Sequence, residues 1–174
     1  ATSDDQTDDP LAMYAKNLGI NVVRGPLDDV MKRFTLTLDK FKSDAFFRVC
    51  GDSPLLLPYL FDEAVSVFKQ FDYDLVTNVF PRSFPPGMSI ELIKTSKFLE
   101  LEKKIKHKKY REHITQYFYN QKNDFKIYNI RCKNLLDPSL MLALDKPGDL
   151  IKLEEWELNR DKDYKKLFPI IETK

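Results

Sequence analysis

AFFRVCGDSP, residues Ala45 to Pro54, is the stretch on which the reading of the fold turns. Its first six residues form a compact apolar run with a single arginine, the pattern of a central strand buried on both faces of a sheet. Gly51 then lets the backbone turn, and Asp52-Ser53-Pro54 stops the strand. Upstream, Val30, Phe34, Leu38 and Phe41 recur at near-helical spacing, and Asp28 and Asp29 stand where a helix dipole favours negative charge. Downstream, Phe61, Ala64, Val65 and Phe68 mark another helix, followed by a strand from Leu75 to Val79. Helices alternating with short apolar strands predict an α/β domain on a largely parallel sheet.

Further outward, ATSDDQTDD (residues 1–9) reads as a loop. Asp8 or Asp9 is placed to cap a helix that opens at Pro10, carries Leu11, Tyr14 and Leu18 on one face and stops at Gly19. Ile20 to Val23 reads as a strand ending at Arg24-Gly25. PRSFPPG (residues 81–87) suits neither a helix nor a central strand, since its three prolines lack amide donors. Strand character resumes over Ser89 to Ile93. A helix is expected from Thr95 or Ser96 to about Lys109, and another from Arg111 to Tyr119. Phe125, Ile127 and Ile130 partly alternate with polar neighbours. Leu140 to Leu144 is a second buried-type run ending at Asp145, and a final helix near Pro147 carries Leu150, Ile151 and Trp156. A charged tail from Arg160 precedes an apolar patch, Leu167 to Ile171, expected to dock on the body. There is no internal repeat and no low-complexity linker, so the 174 residues read as one domain.

Composition narrows the function. Lys and Arg total 28 against 27 Asp and Glu, a net charge of +1, which lacks the basic excess of a nucleic-acid binder. No apolar run approaches a membrane span. Two cysteines, Cys50 and Cys132, with His107 and His113, are too few and too dispersed for a zinc site and read as reduced thiols in a cytoplasmic protein. The five glycines include no G-x-G-x-x-G or P-loop.

In open α/β sheets ligands collect at the carboxyl ends of strands, which directs attention to Arg24-Gly25, Gly51-Asp52, Asn78 and Asp145. Asp52 and Asp145 each follow an apolar run. Two carboxylates at neighbouring strand ends suit magnesium, which takes one or two protein oxygens beside phosphate and water. The ordinary alternative is that each caps the helix or turn that follows. Arg82, Arg111 and His113 form a second group, either gripping a carboxylate or serving as salt-bridge partners. Glu91 is placed to accept from a substrate hydroxyl or to pair with a nearby lysine. The lysine-rich helix face (Lys97, Lys103, Lys104, Lys106, Lys108, Lys109) reads as a solvated face laced with Glu100 and Glu102.

Six strings then occur in order: ATSDDQTDDPLAMYAKNLGINVVRG, DDVMKRF, RVCGDSPLL, NVFPRSFPPGMSIELI, REHIT and LALDKPGDL. Together they resemble the cytidylyltransferase family of the spore-coat polysaccharide type, related to the CMP-Kdo and CMP-sialic acid (acylneuraminate) synthetases, from Ala1 to about Ile151. The resemblance implies a three-layer α/β sandwich of the nucleotide-diphosphosugar transferase, Rossmann-like kind. It implies transfer of CMP from CTP to a sugar or acidic sugar, with pyrophosphate released. Asp52 and Asp145 take the places of the family's Mg2+-holding aspartates. Ser3, Arg24, Gly25 and Gly51 would flank the nucleotide, and Arg82, Ser89, Glu91, Arg111 and His113 the sugar. A homodimer is expected, with neither nucleic acid nor membrane as partner. Lys146 stands where relatives often carry a small hydroxyl residue. The family pattern also implies a β-loop-α-β unit of ~30 residues ahead of Ala1, bearing the phosphate loop. Without it this chain alone is expected to be inactive. A metal-dependent glycosyltransferase of similar fold, and a non-catalytic binding or dimerisation module, stay open as alternatives.

Overall fold

A computed structural model describes residues 1–132 and 140–158. The charged tail and the Leu167 to Ile171 patch therefore lie outside the described residues. The elements are β1 (Thr2–Ser3), α1 (Asp9–Asn17), β2 (Arg24–Gly25), α2 (Val30–Lys40), β3 (Ala45–Arg48), α3 (Pro58–Gln70), β4 (Leu75–Thr77), β5 (Glu91–Lys94), α4 (Thr95–Lys104), α5 (Lys108–Glu112), α6 (Gln116–Asn120), β6 (Ile127–Asn129) and α7 (Pro147–Leu158). β1 and β2 pair in parallel as a two-stranded sheet, and a second sheet has the order β3-β5-β4-β6, with β4 and β6 parallel. The chain divides into two compact units, Ala1–Phe46 with Ile93–Lys126 and Phe47–Leu92 with Ile127–Lys174.

In the first unit, Asp29 caps α2 by accepting from the Lys32 amide at 2.8 Å, and the helix buries Met31, Thr35 and Leu38. Phe34, Phe46 and Phe98 meet with ring centroids 5.1–6.3 Å apart, two of the three pairs edge-on. Phe98 is fully buried and anchors α4. Arg111 ties these helices together. Its Nε donates to Asp29 Oδ2 at 2.7 Å, Nη2 to Glu102 Oε1 at 3.0 Å, and Nη1 to the carbonyls of Glu102 and Ile105 at 3.2 and 2.9 Å.

Five expectations in this unit are corrected. Residues 1–9 are not all loop, because Thr2–Ser3 is a strand whose Thr2 amide donates to the Val23 carbonyl at 2.9 Å. The paired strand opposite is Arg24–Gly25, one step beyond Ile20 to Val23. Leu11, Tyr14 and Leu18 are each more than half exposed, and Ala12 is the buried residue of α1. Periodicity finds an apolar face but not what covers it. Gly19 does end α1, at φ 73°. The long helix to Lys109 is broken: α4 stops at Lys104, and His107 caps α5 through its Nδ1 on the Lys109 amide. The expected Arg111 to Tyr119 helix is likewise split, with His113 ending α5 before α6 starts at Gln116.

In the second unit, β4 is the strand sealed on both faces, with Leu75, Val76 and Thr77 all fully buried. The Ala45 to Cys50 run is instead an end strand of its sheet, and all four residues of β3 are half-buried. An apolar run reports burial tendency, not lateral position. Leu140 to Leu144 is not a strand. Leu142 is buried, Met141 is exposed, and the backbone amides of Leu142 and Leu144 bond outward to Pro86 and Asp52.

Candidate functional site

The site begins where β3 ends. The Ser53 amide reaches back to the Cys50 carbonyl at 3.3 Å, closing a tight turn over Gly51 and Asp52, both exposed. Ser53 Oγ donates to Asp52 Oδ1 at 3.0 Å, which fixes one carboxylate oxygen. The backbone then makes the decisive contact. The Leu144 amide donates to the Asp52 carbonyl at 2.8 Å, so Asp145, the next residue, lies beside Asp52 although ninety-odd positions separate them.

Asp145 does not cap α7. That task falls to Asp149, whose Oδ2 accepts from the amides of Asp145 and Lys146 at 3.1 and 2.8 Å. The Asp145 side chain is exposed and makes no hydrogen bond among the described residues. Asp149 was missed in the sequence; its signal is an aspartate in the first turn after Pro147, able to reach backward.

The donor set suits magnesium: two solvent-facing carboxylates on adjacent backbone, with room for water and phosphate oxygens. Burial pushes the Cys50 thiol, two residues away, above its ordinary range against the opposing pull of Arg48. Among the described residues no group of three metal-ligating side chains occurs.

Behind the turn, Glu91 is 2% exposed and meets Arg48 Nη1 at 3.1 Å. The expected substrate-facing carboxylate is thus turned inward, beneath the strand that carries Asp52. Arg82 and Ser89 do come together, with Arg82 Nη1 donating to Ser89 Oγ at 3.1 Å. They stand at opposite ends of the proline-rich loop, which is pinned throughout. Asn129 accepts from the Phe80 amide at 3.1 Å and donates to the Pro81 carbonyl at 3.0 Å. Ser83 Oγ accepts from the Cys132 amide at 2.9 Å. At the far end, the buried Asn78 accepts from the Ile90 amide at 3.0 Å and donates to the Met88 carbonyl at 2.7 Å. No local pattern marks Asn129, since its partners lie forty-eight and forty-nine residues away.

Ser3, Arg24 and Gly25 are brought together in the first unit. Arg24 Nε donates to the Ser3 carbonyl at 2.7 Å, and its other nitrogens engage the Asp5 carbonyl and Asp9. Ser3 is 2% exposed, and among the described residues its Oγ has no hydrogen-bond partner. A Cβ on Gly25 would stand 2.9 Å from Leu36 Cδ1 and 3.2 Å from Arg33 Cγ, so the glycine permits close packing on α2. Arg111 is engaged by Asp29 and Glu102, and His113 is exposed at the end of α5. On α4 the lysine-rich face is laced by Glu100, which bridges Lys97 at 3.0 Å and Lys104 at 2.5 Å, whereas Glu102 is taken by Arg111.

The family model for cytidylyltransferases matches residues 1–166. The chain belongs to the cytidylyltransferase family. A solved cytidylyltransferase from Leptospira borgpetersenii serovar Hardjo-bovis superposes with a TM-score of 0.85 at 26% identity, over 90% of this chain and 66% of that one. The α/β architecture is accordingly the Rossmann-like nucleotidyltransferase fold. An uncharacterised protein of Methanocaldococcus jannaschii is 29% identical over 167 residues, 88% of this chain and 68% of its own. The spore coat polysaccharide biosynthesis protein SpsF of Bacillus subtilis is 27% identical over 153 residues, 86% of this chain and 62% of its own. This cytidylyltransferase chain thus spans about two thirds of the length of the relatives it matches. Among its described residues no helix is long and apolar enough to cross a membrane.

Proposed function

We propose that this chain is the catalytic portion of a cytidylyltransferase that moves CMP from CTP to a sugar hydroxyl in surface-polysaccharide synthesis, releasing pyrophosphate. The observation that supports the reading is the Leu144 to Asp52 backbone bond, which brings the backbone just before Asp145 against that of Asp52. Asp52 and Asp145 would hold Mg2+, which when bound offsets triphosphate charge and polarises the α-phosphorus. The chain's own part is positioning. Ser53 orients the Asp52 carboxylate, and Asp149 accepts from the Asp145 and Lys146 amides, fixing the backbone that carries the exposed Asp145. Ser3, with Arg24 and Gly25 bracing it, belongs to the nucleotide side, where its buried hydroxyl awaits a partner. Arg82 and Ser89, on the pinned loop, belong to the sugar side. Glu91 acts beneath them through Arg48, and Arg111 through Asp29 and Glu102, rather than on substrate. His113, exposed at the end of α5, remains a sugar-side residue. The enzyme works as a cytoplasmic homodimer.

The test is pyrophosphate release from CTP and Mg2+ by the full-length protein against a panel of neutral and acidic sugars. Asp52→Asn and Asp145→Asn should each lower kcat/KM by at least ~100-fold with the fold intact, as expected for loss of a group acting in the transition state. Sugar-nucleotide hydrolysis without CTP turnover would favour the glycosyltransferase instead.

A further inference from the structure

We propose that Gly87 is a positioning residue for Asp145, and that the proline-rich loop acts as a strut setting the spacing of the two carboxylates; this rests on the metal reading above. Gly87 is buried at φ 92°, a left-handed conformation in which an L side chain is strained. A Cβ there would fall 2.5 Å from the Ala143 nitrogen and overlap the Leu142 carbonyl outright. The obstacle is backbone, so no rotamer change relieves it.

Leu142 and Leu144 are held from opposite sides. The Leu142 amide donates to the Pro86 carbonyl at 2.9 Å, and the Leu144 amide to the Asp52 carbonyl at 2.8 Å. Asp145 follows directly, so the loop reaches the backbone of Asp145 through the three residues 142–144. The loop itself is the stiffer partner. Asn129 and Asn78 fasten its two ends, and Ser83 its middle. A wedge at Gly87 therefore displaces residues 142–144 rather than the loop, and carries Asp145 away from Asp52. Magnesium and manganese accept oxygen ligands only over a narrow distance range, so a shift of about 1 Å is enough to lose one carboxylate.

The experiment is Mn2+ titration of the full chain, without nucleotide, followed by the EPR signal of free Mn2+, with Tm recorded for each protein. Gly87→Ala should bind Mn2+ at least tenfold more weakly than wild type. Gly148→Ala, where a Cβ meets nothing within 4 Å, should match wild type. Asn129→Ala, which loosens the loop without a wedge, should weaken Mn2+ about threefold and serves if Gly87→Ala does not fold. A merely structural glycine would lower Tm and leave the Mn2+ affinity of the folded protein unchanged; that result in both variants overturns the proposal. If wild type and Asp145→Asn take up Mn2+ alike, the metal reading itself has failed, and the strut falls with it.

Discussion

At the scale of the residue, two buried polar side chains make opposite demands. Asn78 is fully buried and satisfied, its amide standing in for a strand partner to Ile90 and Met88. Asn78→Ala strips a partner from a buried amide and a buried carbonyl, each worth about 1–3 kcal/mol, so urea unfolding should show a loss of about 2–4 kcal/mol. Ser3 is the reverse case, buried with a hydroxyl that makes no hydrogen bond within the geometric limits among the described residues, although it helps to lower the Asp8 carboxyl. Ser3→Ala removes a group that bears a desolvation cost with little return, so stability should change by less than about 1 kcal/mol. On the proposed nucleotide role the same variant should raise the KM for CTP several-fold. An unchanged KM would assign the hydroxyl no part in nucleotide binding.

At the scale of the element, what was legible in the sequence followed the range of the forces involved. The turn at Gly51-Asp52 is local chemistry, and it forms where turn residues say it should. The Asp29 cap and the α2 periodicity are local too, and both are present. The end position of β3 was not legible, because nothing in AFFRVC says which strand will lie beside it. Leu140 to Leu144 looked like a strand for the same reason: its apolar content is real, but its amides go to carbonyls of Pro86 and Asp52 far away in sequence. Asp145 follows that run as expected, but the run that precedes it is loop, not strand. Glu91 illustrates the converse. Its strand, β5, was expected, but its facing was not, and β5 turns it onto Arg48 of β3. Arg48→Met removes a guanidinium that compensates a carboxylate only 2% exposed, at an expected cost of roughly 2–4 kcal/mol at neutral pH. Arg48→Met combined with Glu91→Leu should recover most of that loss, measured as a double-mutant cycle by urea unfolding.

At the scale of the whole molecule, acid is the condition that separates these interactions. The chain is nearly neutral at pH 7, with 28 basic against 27 acidic side chains, and becomes strongly cationic as the carboxylates protonate. Those that resist longest are held by specific partners. Asp8 is lowered from 3.8 to about 2 by hydrogen bonds from the Thr2 hydroxyl and the Ser3 residue, which lock β1 in place. Glu100 is lowered from 4.5 to about 2 by Lys104 and Lys97. Both folded values lie below the unfolded ones, so their stabilisation is complete above the unfolded values near pH 4.5 and is lost as pH falls toward 2. Asp8→Asn and Glu100→Gln should each flatten the fall in stability across that window. The two carboxylates should part company in salt. Glu100 is held in part by exposed lysine charges, which 1 M NaCl screens over a Debye length of about 3 Å, so its pKa should climb toward the ordinary glutamate value. Asp8 is held first by short hydrogen bonds from uncharged donors on β1, which salt does not screen. Carboxyl-carbon NMR titrations at low and high salt read both groups in one experiment. Equal salt shifts at Asp8 and Glu100 would contradict this assignment of causes, and a shift at Glu100 with Asp8 unmoved would support it.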